Sequence, residues 1–112
     1  MVKSYVPDRG DLIWLDFDPQ AGREQAGHRP ALVVSPKSYN EKSGLALCCP
    51  ITSKIKNYPF EIAVAIDKKT PSAILADQSR SLDWRVRHAK FIRKVEPKIM
   101  TKLQDMIALL IQ

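Results

Sequence analysis

Apolar and polar positions alternate in short runs along most of this chain and switch to a helical spacing only near its end. Leu12–Phe17 (LIWLDF), Ala31–Ser35 (ALVVS), Ala46–Ile51 and Phe60–Ile66 read as strands. In the last, Phe60, Ile62, Val64 and Ile66 alternate with Glu61, Ala63 and Ala65, the period of two of a half-buried strand. Ala73–Ala76 is a short apolar run, Val86–Phe91 alternates less cleanly, and Ser38–Glu41 predicts a helical turn ended by Gly44. From Pro97, which suits a first helical turn, Ile99, Leu103, Met106, Ile107 and Leu110 recur at spacings of three and four, with Lys98, Lys102 and Asp105 on the other side. Short strands closed by one amphipathic helix predict a mainly β fold, a small, strongly bent sheet or barrel with the helix packed on it. Trp14, Phe17, Phe60 and Trp84 lie in strand-like runs and are expected in the core.

A chain of 112 residues with no linker or repeat predicts one domain, residues 1–112, able to bury a core without disulfides or metal. No apolar run approaches the roughly 20 residues that span a bilayer. The start, MVKSYVPDRGD, lacks the apolar stretch of a signal peptide, so a cytoplasmic location is expected. Cys48 and Cys49 are neighbours, and neighbours in a strand point to opposite faces, so they do not readily bridge each other. With these two cysteines and only two histidines, His28 and His88, no structural zinc or other metal site is expected. The net charge of +6 is concentrated between Arg80 and Lys94, where Arg80, Arg85, Arg87, Lys90, Arg93 and Lys94 face Asp83 alone. Such a cluster is either a solubilising face or a field for a polyanion. Its arginines favour the second, since a planar fork suits phosphate.

Between the first two strand-like runs lies Asp18–Pro30 (DPQAGREQAGHRP), a long connection dense in groups that move or hold protons. Loops of this length in compact domains are usually functional or disordered. It carries Glu24, Gln25, His28 and Arg29, and Thr52 and Ser53 follow another strand-like run in PITSK. Each has a plain structural reading: Glu24 as a surface carboxylate, His28 as a hydrogen-bonded structural residue, Arg29 as a partner of Asp16 or Asp18, Thr52 as a strand-end cap, Asp77 and Gln78 as turn formers. Together, without a phosphate loop, nucleophile elbow or HExxH, they suit a reaction whose nucleophile the substrate carries. The ribose 2′-hydroxyl of RNA is one: the protein would supply a base, donors to the phosphorane oxygens and a proton for the leaving oxygen.

GDLIWLDFDPQAGREQAGHRPALVVSP, then CCPITSKIKNYPFEI, LADQSRSLDWR and the terminal amphipathic helix resemble the MazF/PemK family of bacterial toxins, from Val6 to the last helix, with GHRP and YPFE placing the chain nearer the MazF branch. The resemblance implies a small SH3-like barrel of the CcdB/PemK-like kind with a C-terminal helix. It implies a homodimer acting as a cofactor-free, metal-independent endoribonuclease, an mRNA interferase on single-stranded RNA that leaves a 2′,3′-cyclic phosphate and a 5′-hydroxyl. The family's catalytic Arg falls on Arg29, its catalytic Thr on Thr52 and its loop Glu on Glu24; Asp77 also matches. The PemK branch places a His where this chain has Arg23 and an Arg where it has Leu75, so that branch's catalytic roles do not carry over. The RNA groove is expected to be lined by Glu24, Gln25, His28, Arg29, Thr52, Ser53, Lys56 and Gln78, with Arg87 contributing field. The implied partner is a MazE-like antitoxin with an acidic tail that occupies the same groove. The dimer contact is expected to use apolar surface of the terminal helix.

Two other functions fit the architecture. A CcdB-like gyrase poison would trap a topoisomerase and lacks the HRP and ITS pair; a non-catalytic nucleic-acid-binding module would bind without turnover.

Overall fold

The computed structural model describes residues 5–16 and 28–112. Strands β1 (Asp11–Asp16), β2 (His28–Val33), β3 (Leu45–Thr52), β4 (Glu61–Ala65), β5 (Pro71–Leu75), β6 (Arg80–Asp83) and β7 (Lys90–Lys94) pair antiparallel in the order β4-β5-β3-β2-β1-β7, with β6 beside the start of β3. Helix α1 (Lys37–Ser43) links β2 to β3, a 3₁₀ turn (Ala76–Gln78) follows β5, and α2 (Pro97–Ile111) closes the fold. The curl of the sheet originates in β3. One of its edges takes β2 through Cys48–Pro50, while the other takes β6 through Leu45–Cys48 and then changes to β5 at Ile51 and Thr52. At the far ends, the guanidinium of Arg93 on β7 donates to the Ala65 carbonyl on β4 and draws the two terminal strands together. The result is the mainly β, strongly bent sheet with a C-terminal helix that the sequence pattern predicts.

Strict alternation divides the apolar side chains into two clusters. Leu12, Leu32, Cys49, Ile51, Ile62, Val64 and Ile74 pack with Val95, Met100 and Leu103 under α2, while Ile13, Leu15, Ala31, Val33, Cys48, Leu82 and Trp84 form the other face. Cys48 and Cys49 are accordingly split between the clusters, both free and buried, and burial pushes each thiol up to about 12.

Several sequence expectations are corrected. β2 begins at His28, three residues before the apolar run, so His28 and Arg29 are strand residues fixed opposite Asp16 and Leu15 of β1 rather than loop residues. The expected strand at Val86–Phe91 starts only at Lys90. Asp83 causes the delay: its carboxylate accepts the N–H groups of Arg85 and Val86, both at 3.1 Å, and winds residues 84–88 into a turn. Residues 80–83, too polar to read as a strand, form β6 because β3 offers them an open edge. Gly44 ends α1 as expected, in the left-handed conformation at φ 75°. Leu110 does not face the core: with Leu109 and Ile111 it lies on the exposed last turn of α2, beyond the edge of the sheet. Trp84 is buried, its Nε1–H donating to the Asn40 carbonyl at 3.0 Å, and Phe60 is partly buried beside the core. Trp14 is not core: it is only partly buried and belongs to neither cluster. Phe17 falls outside the described residues.

Much of the basic cluster is structural. Lys94 Nζ lies 2.6 Å from the carboxylate of buried Asp11, which also accepts the Tyr5 hydroxyl at 2.6 Å and the Asp8 N–H at 3.0 Å. Arg85 stacks over Trp84, 4.7 Å from the ring centroid. The clustering of positive charge therefore overstates what is left to face a polyanion.

Candidate functional site

The last β2–β3 pair is Ala31↔Pro50, and two positions further along each strand stand Arg29 and Thr52. Both line a cavity of about 420 Å³, together with Trp14, His28, Pro30 and Ser53. Thr52 is the final residue of β3 and pairs with Ala73 of β5. Its Oγ1 accepts the N–H of Lys54 at 3.0 Å, so the strand-end cap of the plain reading is real. An acceptor role leaves the hydroxyl hydrogen free to donate elsewhere.

Thr52 and Lys54 also line a second cavity of about 570 Å³ with Lys56, Asn57, Tyr58, Asp77 and Gln78. Thr52 thus stands where the two hollows meet. The loop between them is shaped by Glu61, whose carboxylate accepts the N–H groups of Lys56 (3.1 Å to one oxygen) and Tyr58 (3.3 Å). That gives the YPFE motif a physical meaning. The Asp77 carboxylate beside the Tyr58 hydroxyl raises the tyrosine's pKa and keeps it a donor.

At the outer end of the first cavity Asp16 gathers both histidines. Its Oδ2 lies 2.9 Å from His88 Nδ1 and its Oδ1 3.5 Å from His28 Nδ1. The hydrogen bond from His88 outweighs the opposing effect of burial and, with a lesser one from His28, holds the carboxyl below the ordinary range. Trp14 stacks on His28, ring centroids 4.9 Å apart and planes 13° from parallel. Arg87 donates from Nη1 to the Asp16 carbonyl at 3.0 Å, while the Asp16 N–H donates to the Arg87 carbonyl at 2.9 Å.

The structure therefore gathers His28, Arg29, Thr52 and Ser53 in one hollow and Lys56, Asp77 and Gln78 in the adjoining one, with Arg87 anchored at the rim. Glu24 and Gln25 lie outside the described residues. Sequence reasoning missed Trp14 and Asp16 as site residues, as well as His88 and Tyr58. Only Asp16 left a usable signal, since it and His28 bracket the 17–27 segment at the ends of two antiparallel strands.

The sequence matches, over residues 8–111, the family described as PemK-like, MazF-like toxin of type II toxin–antitoxin systems. It is 50% identical over 111 residues to the endoribonuclease toxin MazF of Escherichia coli K12, covering 99% of each chain. The crystal structure of MazF from Deinococcus radiodurans superposes with a TM-score of 0.84 at 44% identity, covering 96% of this chain and 98% of that one. The toxin-like chain in a MazE–MazF structure from the same organism gives 0.83 at 39% identity, covering 96% and 97%. On these matches, the chain belongs to the PemK-like, MazF-like toxin family of type II toxin–antitoxin systems.

Proposed function

We propose that this chain is a toxin endoribonuclease that cuts single-stranded RNA at short specific sequences and is held inactive by a cognate antitoxin. The observation that carries the reading is the shared hollow of Arg29 and Thr52 at the matching ends of neighbouring strands. Relatives named endoribonucleases support it and leave the gyrase-poison and non-catalytic readings without support.

The ribose 2′-oxygen attacks the adjacent phosphorus, the bond to the 5′-oxygen breaks, and a 2′,3′-cyclic phosphate and a 5′-hydroxyl result. Arg29 faces the phosphate with a fixed fork and stabilises the charge that builds on the phosphorane. Thr52 adds a neutral donor from the junction of the hollows, so bases on either side of the scissile phosphate have separate places to lie. Glu24 is the proposed base for the 2′-hydroxyl proton. RNA with a single deoxyribose 5′ of the scissile bond should bind but stay intact, and a chelator should leave cleavage of the all-ribose strand unchanged. Cleavage of the deoxy strand, or a 3′-hydroxyl product, overturns the mechanism.

The inhibitor is proposed to be an acidic antitoxin segment that occupies the hollows in place of RNA. An acidic peptide should compete with RNA, with affinity falling steeply as salt rises; simultaneous binding of both refutes the competition. The active unit is proposed as a homodimer that uses in part the exposed Leu109, Leu110 and Ile111 of α2. A monomer in sedimentation at micromolar concentration refutes it.

A further inference from the structure

His28 is held as an acid is held. A carboxylate oxygen only accepts, so the Nδ1 that faces Asp16 at 3.5 Å carries the proton of that contact. Nε2, on the opposite edge of the ring, is left for the cavity that His28 lines with Arg29 and Thr52. Two contacts fix the ring: the Asp16 carboxylate on Nδ1, and the indole of Trp14 lying nearly parallel to it. A further sign that this corner is under functional constraint is His88. Its backbone sits at φ 55°, a region that side-chain-bearing residues seldom occupy, while its imidazole donates to the same Asp16 carboxylate at 2.9 Å.

We propose that His28 is the general acid of the cleavage step, delivering the Nε2 proton to the departing 5′-oxygen, and that Asp16 positions it while His88 draws on the same carboxylate. This rests on the ribonuclease reading above. As the 2′-oxygen forms its bond to phosphorus and passes its proton to the base, the P–O5′ bond breaks, its electron pair stays on O5′, and the Nε2 proton neutralises it. The ring is left neutral and is reprotonated by solvent. Among the described residues, the charged and titratable groups around His28 are Asp16 on β1, Arg29 on β2, Lys54 and Asp67 across the cavity, and Arg87 and His88 on the 84–88 turn.

The test uses the full-length protein and a short RNA, with single-turnover rates across pH. His28→Gln should lose about 10²- to 10⁴-fold in kcat, the usual range for a positioned acid, together with the basic limb of the profile. A substrate whose bridging 5′-oxygen is replaced by sulfur, a leaving group that needs no proton, should restore most of that loss. Asp16→Asn should move the basic limb to lower pH. His88→Gly, which suits the left-handed backbone, should move it to higher pH, because Asp16 then acts on His28 alone. The imidazole Cε1–H resonance of His28 should shift its titration midpoint in the same two directions without any substrate. A wild-type protein that leaves RNA intact defeats the ribonuclease reading itself. A wild type that cuts while His28→Gln keeps its basic limb and gains nothing from the sulfur substrate overturns the acid role, and midpoints unmoved in both variants overturn the roles of Asp16 and His88.

Discussion

Arg29 and Thr52 line one cavity from β2 and β3, each two positions beyond the last paired residues, Ala31↔Pro50. Strand backbone therefore presets their spacing. Arg29→Ala should remove cleavage while leaving the fold, since Arg29 is exposed and its loss opens no core. The expected cost is about 2.7–4 kcal/mol in transition-state stabilisation, as for one preorganised anion donor. Circular dichroism with single-turnover cleavage checks it, and a folded variant cutting at wild-type rate removes Arg29 from the mechanism.

Thr52 has two duties that substitution can separate. Thr52→Val keeps the shape but removes both the cap on the Lys54 N–H and the donor toward the phosphate. Thr52→Ser restores both. The valine variant should lose most of its turnover and the serine variant little; equal turnover in the two would show that the hydroxyl does no more than end a strand.

Glu24→Gln should lower kcat more than it weakens binding, and should remove the acidic limb of the pH–rate profile, because an amide accepts no proton. Binding is read with the deoxy-substituted strand. If the acidic limb persists, the base lies elsewhere.

Asp16 also links stability to pH. Its carboxyl is depressed in the folded protein, chiefly by the hydrogen bond from His88. The stabilisation is therefore complete above the unfolded carboxylate range and is lost as pH falls through the depressed folded value. Urea melts of wild type and Asp16→Asn should differ slightly at pH 7 and converge as pH falls through the depressed folded value. A gap that widens on acidification would contradict the assignment.

Asn40 is fully buried: its amide donates to the carbonyls of Pro7 (2.8 Å) and Ser35 (3.0 Å), and its oxygen accepts the Ser35 hydroxyl at 2.5 Å. Asn40→Ala strands those groups and should cost about 1–3 kcal/mol, read as a lower urea midpoint at unchanged m. A neutral result would mean that water replaces the amide.

The bent sheet and terminal helix were legible because burial imposes period two on the strands and three-to-four spacing on the helix. Asp83 shows what such patterns cannot carry: one carboxylate accepting two backbone N–H groups delays β7 by several residues, and nothing in the apolar spacing signals it. Trp14 was assigned to the core because aromatics in strands usually pack, yet within β1 its ring lines the cavity and stacks on His28. The proposed catalytic residues were found through motif and chemistry. The pairing of Asp16 with two histidines 12 and 72 positions away is a product of topology alone.

The split cysteines give this protein a chemical record of its own opening. Burial holds both thiols far above the ordinary range, so the reactive thiolate is scarce at neutral pH, and both sulfurs are sealed from solvent. An alkylating reagent consequently has no target in the closed molecule. Because Cys48 belongs to one packed cluster and Cys49 to the other, the order in which they are tagged reports which side of the sheet parts first. Mass spectrometry of partly labelled chains would time the two events separately, with no probe added and no residue changed.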